Sequence, residues 1–473
     1  MPIVFDTNMP WFKPQLGRTI GGFVTLQKIG LGALPAFADS TRLRLFLGTM
    51  LYLAQGFPQG VLFYALPTWL AVNGASAAEL GMVASAALLP WTFKFLMGGF
   101  VDRYAYLAMG RRRGWLVGAQ FVIVGVFLIF AAVQPAPDAT MLIAGLAFAL
   151  SSATATQDIA LDALVIDLTP QEELGRLNGF MFGGKLLGIA GGTAFTAFLI
   201  EHYSIRTAMI GSLVFFMIPA ITALLVRERP GEKLLPWTSG VASDEAIAAS
   251  PDKWLPLLKT AVKSMLRRDV LVVLALMSIY GMHQQIMDNT SALFAANVMG
   301  WGETRFTSLI AMVNLGSAVL CLTVGGWLVD KFGPKLMALV SGFTAAAIIA
   351  VLVINRELWG QETFFVIWYV SASVVILQFY LAMLVLAMRV TDQAAAAINF
   401  NILMGCFALG STLGGASLGI IDAMGGLGAL FAAAAILLAL SAACAIFLSK
   451  ALGPTGSIGG DPDDDEIPVA ALP

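Results

Sequence analysis

A chain of 473 residues that is 58% hydrophobic and only 12% charged, with a mean hydropathy of +0.83, is excluded from the ordinary water-soluble globules, in which charged residues are about twice as frequent. Its apolar residues fall in runs of roughly 18 or more, long enough to cross a hydrocarbon core of about 30 Å, so a multi-span membrane protein is expected. The net charge of -2 provides no global basic field for nucleic acid, and the information lies in where the 27 Lys and Arg sit.

In chain order, residues 1–42 contain Pro2, Pro10, Pro14 and Pro35 with several charges, lack the apolar core of a cleaved signal, and read as a cytoplasmic arm. Apolar runs at 43–73, 79–101, 115–133, 140–166, 174–201 and 205–226 predict a six-helix bundle over 43–226. Residues 227–268 are polar, hold Pro230, Pro236, Pro251 and Pro256 and eight positive charges, and predict a cytoplasmic linker. Within it, Trp254, Leu257, Leu258, Val262 and Leu266 have the spacing of a surface helix over 252–268. Six further runs at 269–299, 304–329, 335–354, 362–388, 394–422 and 426–449 predict a second bundle over 269–449. Residues 450–473, with Asp461, Asp463, Asp464, Asp465 and Glu466, read as a solvated, disordered acidic tail. Cys321, Cys406 and Cys444 lie inside apolar runs without ligand spacing and read as small core residues, so neither metal nor cofactor is expected.

Orientation follows from the rule that Lys and Arg in short loops stay in the cytoplasm. With the N-terminus inside, only Arg206, Arg305 and Arg356 face outwards, and only Lys94 and Lys185 fall within spans. Both termini are therefore expected on the cytoplasmic side.

An internal repeat is visible. Gly98-Gly99-Phe100-Val101-Asp102-Arg103 closes the second span, and Gly325-Gly326-Trp327-Leu328-Val329-Asp330-Lys331 closes the eighth. A second match sets Gly188, Gly191 and Gly192 of span five against Gly410, Gly414 and Gly415 of span eleven. Glycines of this kind let helices approach closely, and two parallel six-helix halves are the trace of a transporter built from repeats. The doubled Gly-Gly-x-x-x-Asp-Lys/Arg pattern resembles the loop signature of the major facilitator superfamily, which implies an all-helical fold of twelve transmembrane helices. Over residues 50–195, Phe93-Lys94-Phe95-Leu96, Asp102-Arg103-Tyr104, Gly110-Arg111-Arg112-Arg113-Gly114-Trp115 and Gln157-Asp158-Ile159-Ala160-Leu161-Asp162 resemble the AmpG-like muropeptide permeases and the related acetyl-CoA transporter family. That resemblance implies a bacterial inner-membrane carrier of anhydromuropeptide, acetyl-CoA or a siderophore.

Ionisable residues inside spans cost several kcal/mol and are functional candidates by default. Here they are Lys94, Asp158, Asp162, Lys185, His283 and Asp288. Asp158 and Asp162, four residues apart, share a face of span four. Lys185 lies about 15 Å into span five at about 1.5 Å per residue, near the midplane, where its ammonium suits an anion. The resemblance agrees, since a basic residue in that Gly-rich span is usual, often as Arg. Gln55-Gly56-Phe57-Pro58-Gln59 of span one corresponds to the stretch holding Gly281, His283, Gln284, Gln285 and Asp288 of span seven, and such matched polar, helix-breaking segments point to a binding site. Substrate binding is thus expected at Lys185, Gln55, Gln59, Gln157, Asp158, Gln284 and Gln285, with Trp91, Trp69 and Phe57 available to stack on sugar rings. Asp288, then Asp158, then His283 are the expected proton carriers. Lys94 with Asp162 is expected as an ion pair between helices near the inner face. With Asp102, Arg103, Arg111, Arg112, Arg113, Asp330 and Lys331, that pair makes up the conformational gate.

Asp158-x-x-x-Asp162 on a membrane helix is also how intramembrane prenyltransferases hold magnesium diphosphate. Those enzymes need a second acidic cluster, and span ten has no interior carboxylate. No phosphate-binding loop or nucleophile elbow appears. A superfamily member that assists complex assembly instead of transporting would have lost its midplane polar groups, which are present. The sequence therefore points to a monomeric, non-enzymatic carrier that imports an anionic small molecule with the proton gradient.

Overall fold

Each apolar run becomes a helix or a pair of helices in the computed structural model, which describes residues 36–248, 265–320, 324–390 and 396–449. The first half holds α1 Thr41–Gly60, α2 Leu66–Val72, α3 Ala77–Thr92, α4 Lys94–Arg103, α5 Arg113–Val133, α6 Thr140–Leu168, α7 Gln171–His202 and α8 Ile205–Leu225. After a short α9, Asp244–Ala248, the second half holds α10 Arg268–Asn297, α11 Glu303–Leu320, α12 Gly326–Phe332, α13 Pro334–Ile354, α14 Glu362–Val390 and α15 Ala396–Cys444. Among the described residues, eight helices are long and apolar enough to cross a membrane. The protein is an all-helical, multi-pass membrane protein.

The remaining runs are interrupted for local reasons. Pro58 lies inside α1, and a π-helical turn over Val61–Ala65 separates α1 from α2. Proline has no N–H for the helical ladder, and π-turns relieve such breaks. Pro90 similarly precedes the interruption at Phe93 that divides α3 from α4 and sets Lys94 at the start of α4. α15 runs over two predicted spans and turns back at Gly426, whose φ of 62° is a conformation that favours glycine. The predicted irregularity of span seven is not found: α10 is regular throughout Tyr280–Asn289. No proline occurs there, and Gly281 instead lets α10 meet the Phe407 carbonyl of α15.

Close backbone packing holds each half together. A Cβ on Gly56 or Gly60 of α1 would strike the Lys185 or Ile189 carbonyl of α7, and one on Gly184, Gly188 or Gly192 would strike carbonyls of Thr49, Leu53 or Phe57. In the second half, Gly410 and Gly414 meet Ser278 and Met282 of α10 in the same manner. Gly191 and Gly98, by contrast, have nothing within 4 Å, so neither is a packing glycine here. Between halves, α3 packs on α15, where Gly81 meets the Gly415 carbonyl and the Ser85 hydroxyl donates to the Thr412 carbonyl at 2.9 Å. That contact runs from Ala78 to Thr92. The Thr304 N–H donates to Glu201 at 2.6 Å, joining α11 to α7 at the same end of the bundle.

At the opposite end, Glu228 caps the start of α5. Its carboxylate is buried and accepts the backbone N–H groups of Arg111, Arg112 and Arg113 at 2.9, 2.6 and 2.5 Å. Arg113 donates to the Ala223, Leu224 and Lys233 carbonyls, and Arg111 and Arg112 pair with Asp167 at 3.5 and 3.2 Å. The Phe37 N–H donates to the Arg227 carbonyl, which fastens the residues before α1 to the same knot. Burial pushes the Glu228 carboxyl up to about 7, Glu232 adding to the rise and the three N–H groups opposing it. Raised from 4.5, the group stabilises this knot fully at acid pH, and its contribution fades as pH rises through about 7. In thermal unfolding, Glu228→Gln should therefore lie furthest below wild type near pH ~5 and approach it by pH ~8. A gap that widens with pH would contradict this.

The surface helix expected over 252–268 lies mostly outside the described residues, as do Cys321, the first 35 residues and the acidic tail. Cys406 and Cys444 are half-buried, and Cys444 packs against the hydrophobic core.

Candidate functional site

Inside the first half, α4, α6 and α7 bring Lys94, Asp158, Asp162 and Lys185 together. The Lys94 ammonium donates to Asp158 and lies 3.6 Å from Asp162. The expected Lys94–Asp162 pair is present, and Lys94 bridges both carboxylates, so that Asp158 joins the same group. The physical reason is the four-residue spacing, which stacks the two carboxylates one turn apart within reach of one flexible side chain. From α1, the Gln55 amide donates to the other oxygen of Asp158, and the Tyr52 hydroxyl donates to Asp162. The Asp158 side chain is only 5% exposed while that of Asp162 is 40% exposed, so the interior of the bundle is open to Asp162.

Lys185 has no such partner. It lies within electrostatic reach of Asp162 and 6.0 Å from the centre of the Trp91 ring, but it makes no ion pair among the described residues. Lys94 approaches the same ring at 5.8 Å. The Trp91 indole N–H donates to the Ser151 hydroxyl at 2.8 Å, which fixes the ring between the two ammonium groups. Gln157 is fully buried and donates to the Leu51 carbonyl at 3.2 Å, while the side-chain oxygens of Gln55 and Gln157 have no donor. Two lysines and two aspartates make this cluster neutral as it stands. It can stabilise a bound anion without first being stripped of an internal partner of Lys185.

The second half contributes a different surface. Asp288 and Gln284 of α10 are half-buried, and Tyr64, Tyr280 and Tyr369 lie within electrostatic reach of Asp288. His283 turns away from it: the ring is fully buried and its Nδ1 lies 2.8 Å from the Ala434 carbonyl. His283 and Asp288 are five positions apart, which sets them on different faces of a regular helix. Gln59 and Gln285 are buried on α1 and α10.

Among the aromatic residues, Trp91 faces the cluster, but Phe57 is buried against Phe215 at 4.4 Å and Trp69 is 6% exposed within the core. Both are packing residues here. Of the gate residues, Asp102 and Arg103 close α4, and Asp330 lies in α12. Lys331 is exposed, with its ammonium 4.7 Å from the centre of the Trp327 ring. Arg111, Arg112 and Arg113 are bound within the first half, in the Glu228 knot. Tyr52 was not singled out from the sequence, although Tyr52, Gln55 and Gln59 form a polar stripe at three- and four-residue spacing.

The site is a set of intramembrane charges enclosed by the helices of a multi-pass membrane protein. The sequence profile of the Major Facilitator Superfamily matches residues 48–405, and the chain belongs to that family of secondary transporters. The anhydromuropeptide permease of Escherichia coli strain K12 is 26% identical over 181 residues, which are 38% of this chain and 36% of that one. Putative transporter AmpG 1 of Rickettsia prowazekii is 27% identical over 138 residues, 28% of this chain and 31% of that one. The chain thus spans about a third of the length of these curated relatives. Among solved structures, the nucleoside transporter NupG superposes with a TM-score of 0.63 at 15% identity, covering 85% of this chain and 97% of that one. A D-xylose-proton symporter superposes with a TM-score of 0.61 at 17% identity, covering 87% and 98%. These two share the fold.

Proposed function

We propose that this protein is a proton-coupled importer of an anionic amphipathic solute, with anhydromuropeptide as the cargo, in the inner membrane of a bacterium. The observation that carries this is Lys185, an ammonium without an ion-pair partner among the described residues, within a four-residue cluster of zero net charge and beside a fixed indole ring. The muropeptide class rests on the resemblance of residues 50–195 and on the name of the Escherichia coli relative.

Twelve crossings in two six-helix domains, 43–226 and 269–449, joined by a cytoplasmic linker over 227–268, fit the helix pattern and the repeat. Both termini are cytoplasmic in this arrangement, and the end closed by α3, α15 and the Glu201–Thr304 contact is the outer one. The site would then face the cytoplasm, and transport would proceed by rocking the halves about it. The protein would work as a monomer, since each chain holds a whole site.

Charge balance supplies the coupling. Lys94 and Lys185 offset Asp158 and Asp162, so an arriving anion adds one uncompensated negative charge inside the membrane. A proton on the Asp158–Asp162 pair restores neutrality, and Asp162 is the member open to solvent. We therefore assign the proton to this pair ahead of Asp288, the first expectation from sequence, and leave no such role to His283. Lys94 is the switch: a protonated carboxylate no longer holds it, which loosens α4 from α6 and permits the conformational change.

Labelled anhydromuropeptide in proteoliposomes tests the cargo. Saturable uptake inhibited by unlabelled muropeptide, and not by acetyl-CoA or a ferric siderophore, is expected. Inhibition by either of those two alone would reassign the substrate. Asp162→Asn should retain uptake down a substrate gradient while its rate loses dependence on the proton gradient. Unchanged coupling in that variant and in Asp158→Asn would remove the pair from the mechanism.

A further inference from the structure

One face of α10 carries Tyr280, Gln284 and Asp288 at four-residue spacing. Asp288 makes no hydrogen bond or ion pair among the described residues, and the side-chain oxygen of Gln284, one turn away, is buried without a donor. Tyrosine hydroxyls do not supply one. Those of Tyr64 and Tyr369 lie within electrostatic reach of Asp288 without donating to it among the described residues. Tyr380 closes the aromatic wall, its ring 5.9 Å from that of Tyr280.

Two acceptors without a donor, beside several electron-rich rings, match one kind of group. An ammonium offers three N–H donors and a charge that both the carboxylate and the ring faces attract. A second anion would be repelled, and a neutral hydroxyl would leave the carboxylate charge uncompensated inside the membrane. Resting on the transport function proposed above, we infer that Asp288 and Gln284 hold an ammonium of the cargo, so that the solute carries opposite charges near its two ends.

The fold sets the distance between those charges. Gly56 of α1 abuts the Lys185 carbonyl, and Tyr64, eight residues further along, lies within electrostatic reach of Asp288. At about 1.5 Å per residue these two positions are offset by about 12 Å along the helix axis, which puts the separation of the two poles on that order. A free amino acid, whose charges sit on one carbon, is too short to reach both. An extended peptide-bearing solute with an amine remote from its carboxylate fits.

The test is competition for uptake by two anhydromuropeptides identical except that a free side-chain amine on the peptide is acetylated in one. In wild type the free amine should compete at least about tenfold better, which corresponds to about 1.4 kcal/mol. Asp288→Asn should remove that preference while still admitting both compounds, and Gln284→Leu should reduce it, so that the result does not depend on one variant folding. Equal competition by both compounds in wild type, with robust uptake, would overturn the inference and leave the transport function standing. Retention of the preference by Asp288→Asn, with loss of the pH dependence of uptake, would overturn it in favour of a proton-carrying Asp288. Uptake of neither compound by folded protein would overturn the transport function and the inference with it.

Discussion

Lys185→Gln is expected to lower the apparent affinity for anhydromuropeptide by roughly 10- to 100-fold, because a hydrogen bond to a charged group contributes about 1.5–3 kcal/mol and about 1.4 kcal/mol is a factor of ten. The substitution leaves Lys94, Asp158 and Asp162 in place, so the ion-paired part of the cluster and the packing of α7 on α1 should survive. Lys185→Arg should keep much of the affinity, since the positive charge remains and a guanidinium can also hold a carboxylate. Concentration dependence of uptake for the three proteins is the measurement. Equal half-saturation in wild type and Lys185→Gln would exclude Lys185 from the anion site, and an arginine variant as poor as glutamine would shift the emphasis from charge to shape.

The second large effect concerns stability. Gly192→Ala is expected to destabilise the first half by more than the 1–3 kcal/mol usual for overpacking, because the added methyl would meet the Phe57 carbonyl. Backbone cannot move aside as a flexible side chain can. Gly191→Ala, one residue away, should be neutral or slightly stabilising, since nothing lies within 4 Å of its would-be Cβ and alanine favours a helix. Thermal unfolding of the two detergent-purified variants separates these outcomes. A loss of stability in Gly191→Ala equal to that in Gly192→Ala would contradict the assignment of the effect to the approach of α1 to α7, since alanine by itself favours a helix over glycine.

The contrast between Gly191 and Gly192 also marks what could be read in advance. Hydropathy located the apolar segments to within a few residues, because crossing a bilayer demands length and apolarity and little else. Intramembrane charges were legible for the same reason: Lys94, Asp158, Asp162 and Lys185 stand out against an apolar background, and all four meet. Their pairing was not legible. Whether Lys94 reaches Asp158 or Asp162 depends on the rotation of α4 against α6, which the pattern along either helix alone does not contain. The interruption at Phe93 that sets Lys94 at a helix start adds to this, since it alters the direction of the side chain.

In span seven the sequence pattern and the structure differ. Gly281 and a run of polar residues looked like a break matching that after Pro58, yet only a proline deletes a hydrogen bond of the ladder. The glycine is used for contact with Phe407, and the polar residues divide between faces, His283 towards Ala434 and Asp288 towards the tyrosines. Glu228 was invisible for another reason. A single glutamate in a polar linker gives no sign that it will cap a helix start more than a hundred residues earlier.

Coupling of anion and proton at the four-residue cluster is tested most directly by proteoliposomes loaded with a pH-sensitive dye and given anhydromuropeptide outside, with no imposed proton gradient. The charge balance of Lys94, Lys185, Asp158 and Asp162 predicts that the interior acidifies as the solute enters, in wild type and not in Asp162→Asn. Entry of the solute at a constant internal pH in wild type would contradict it.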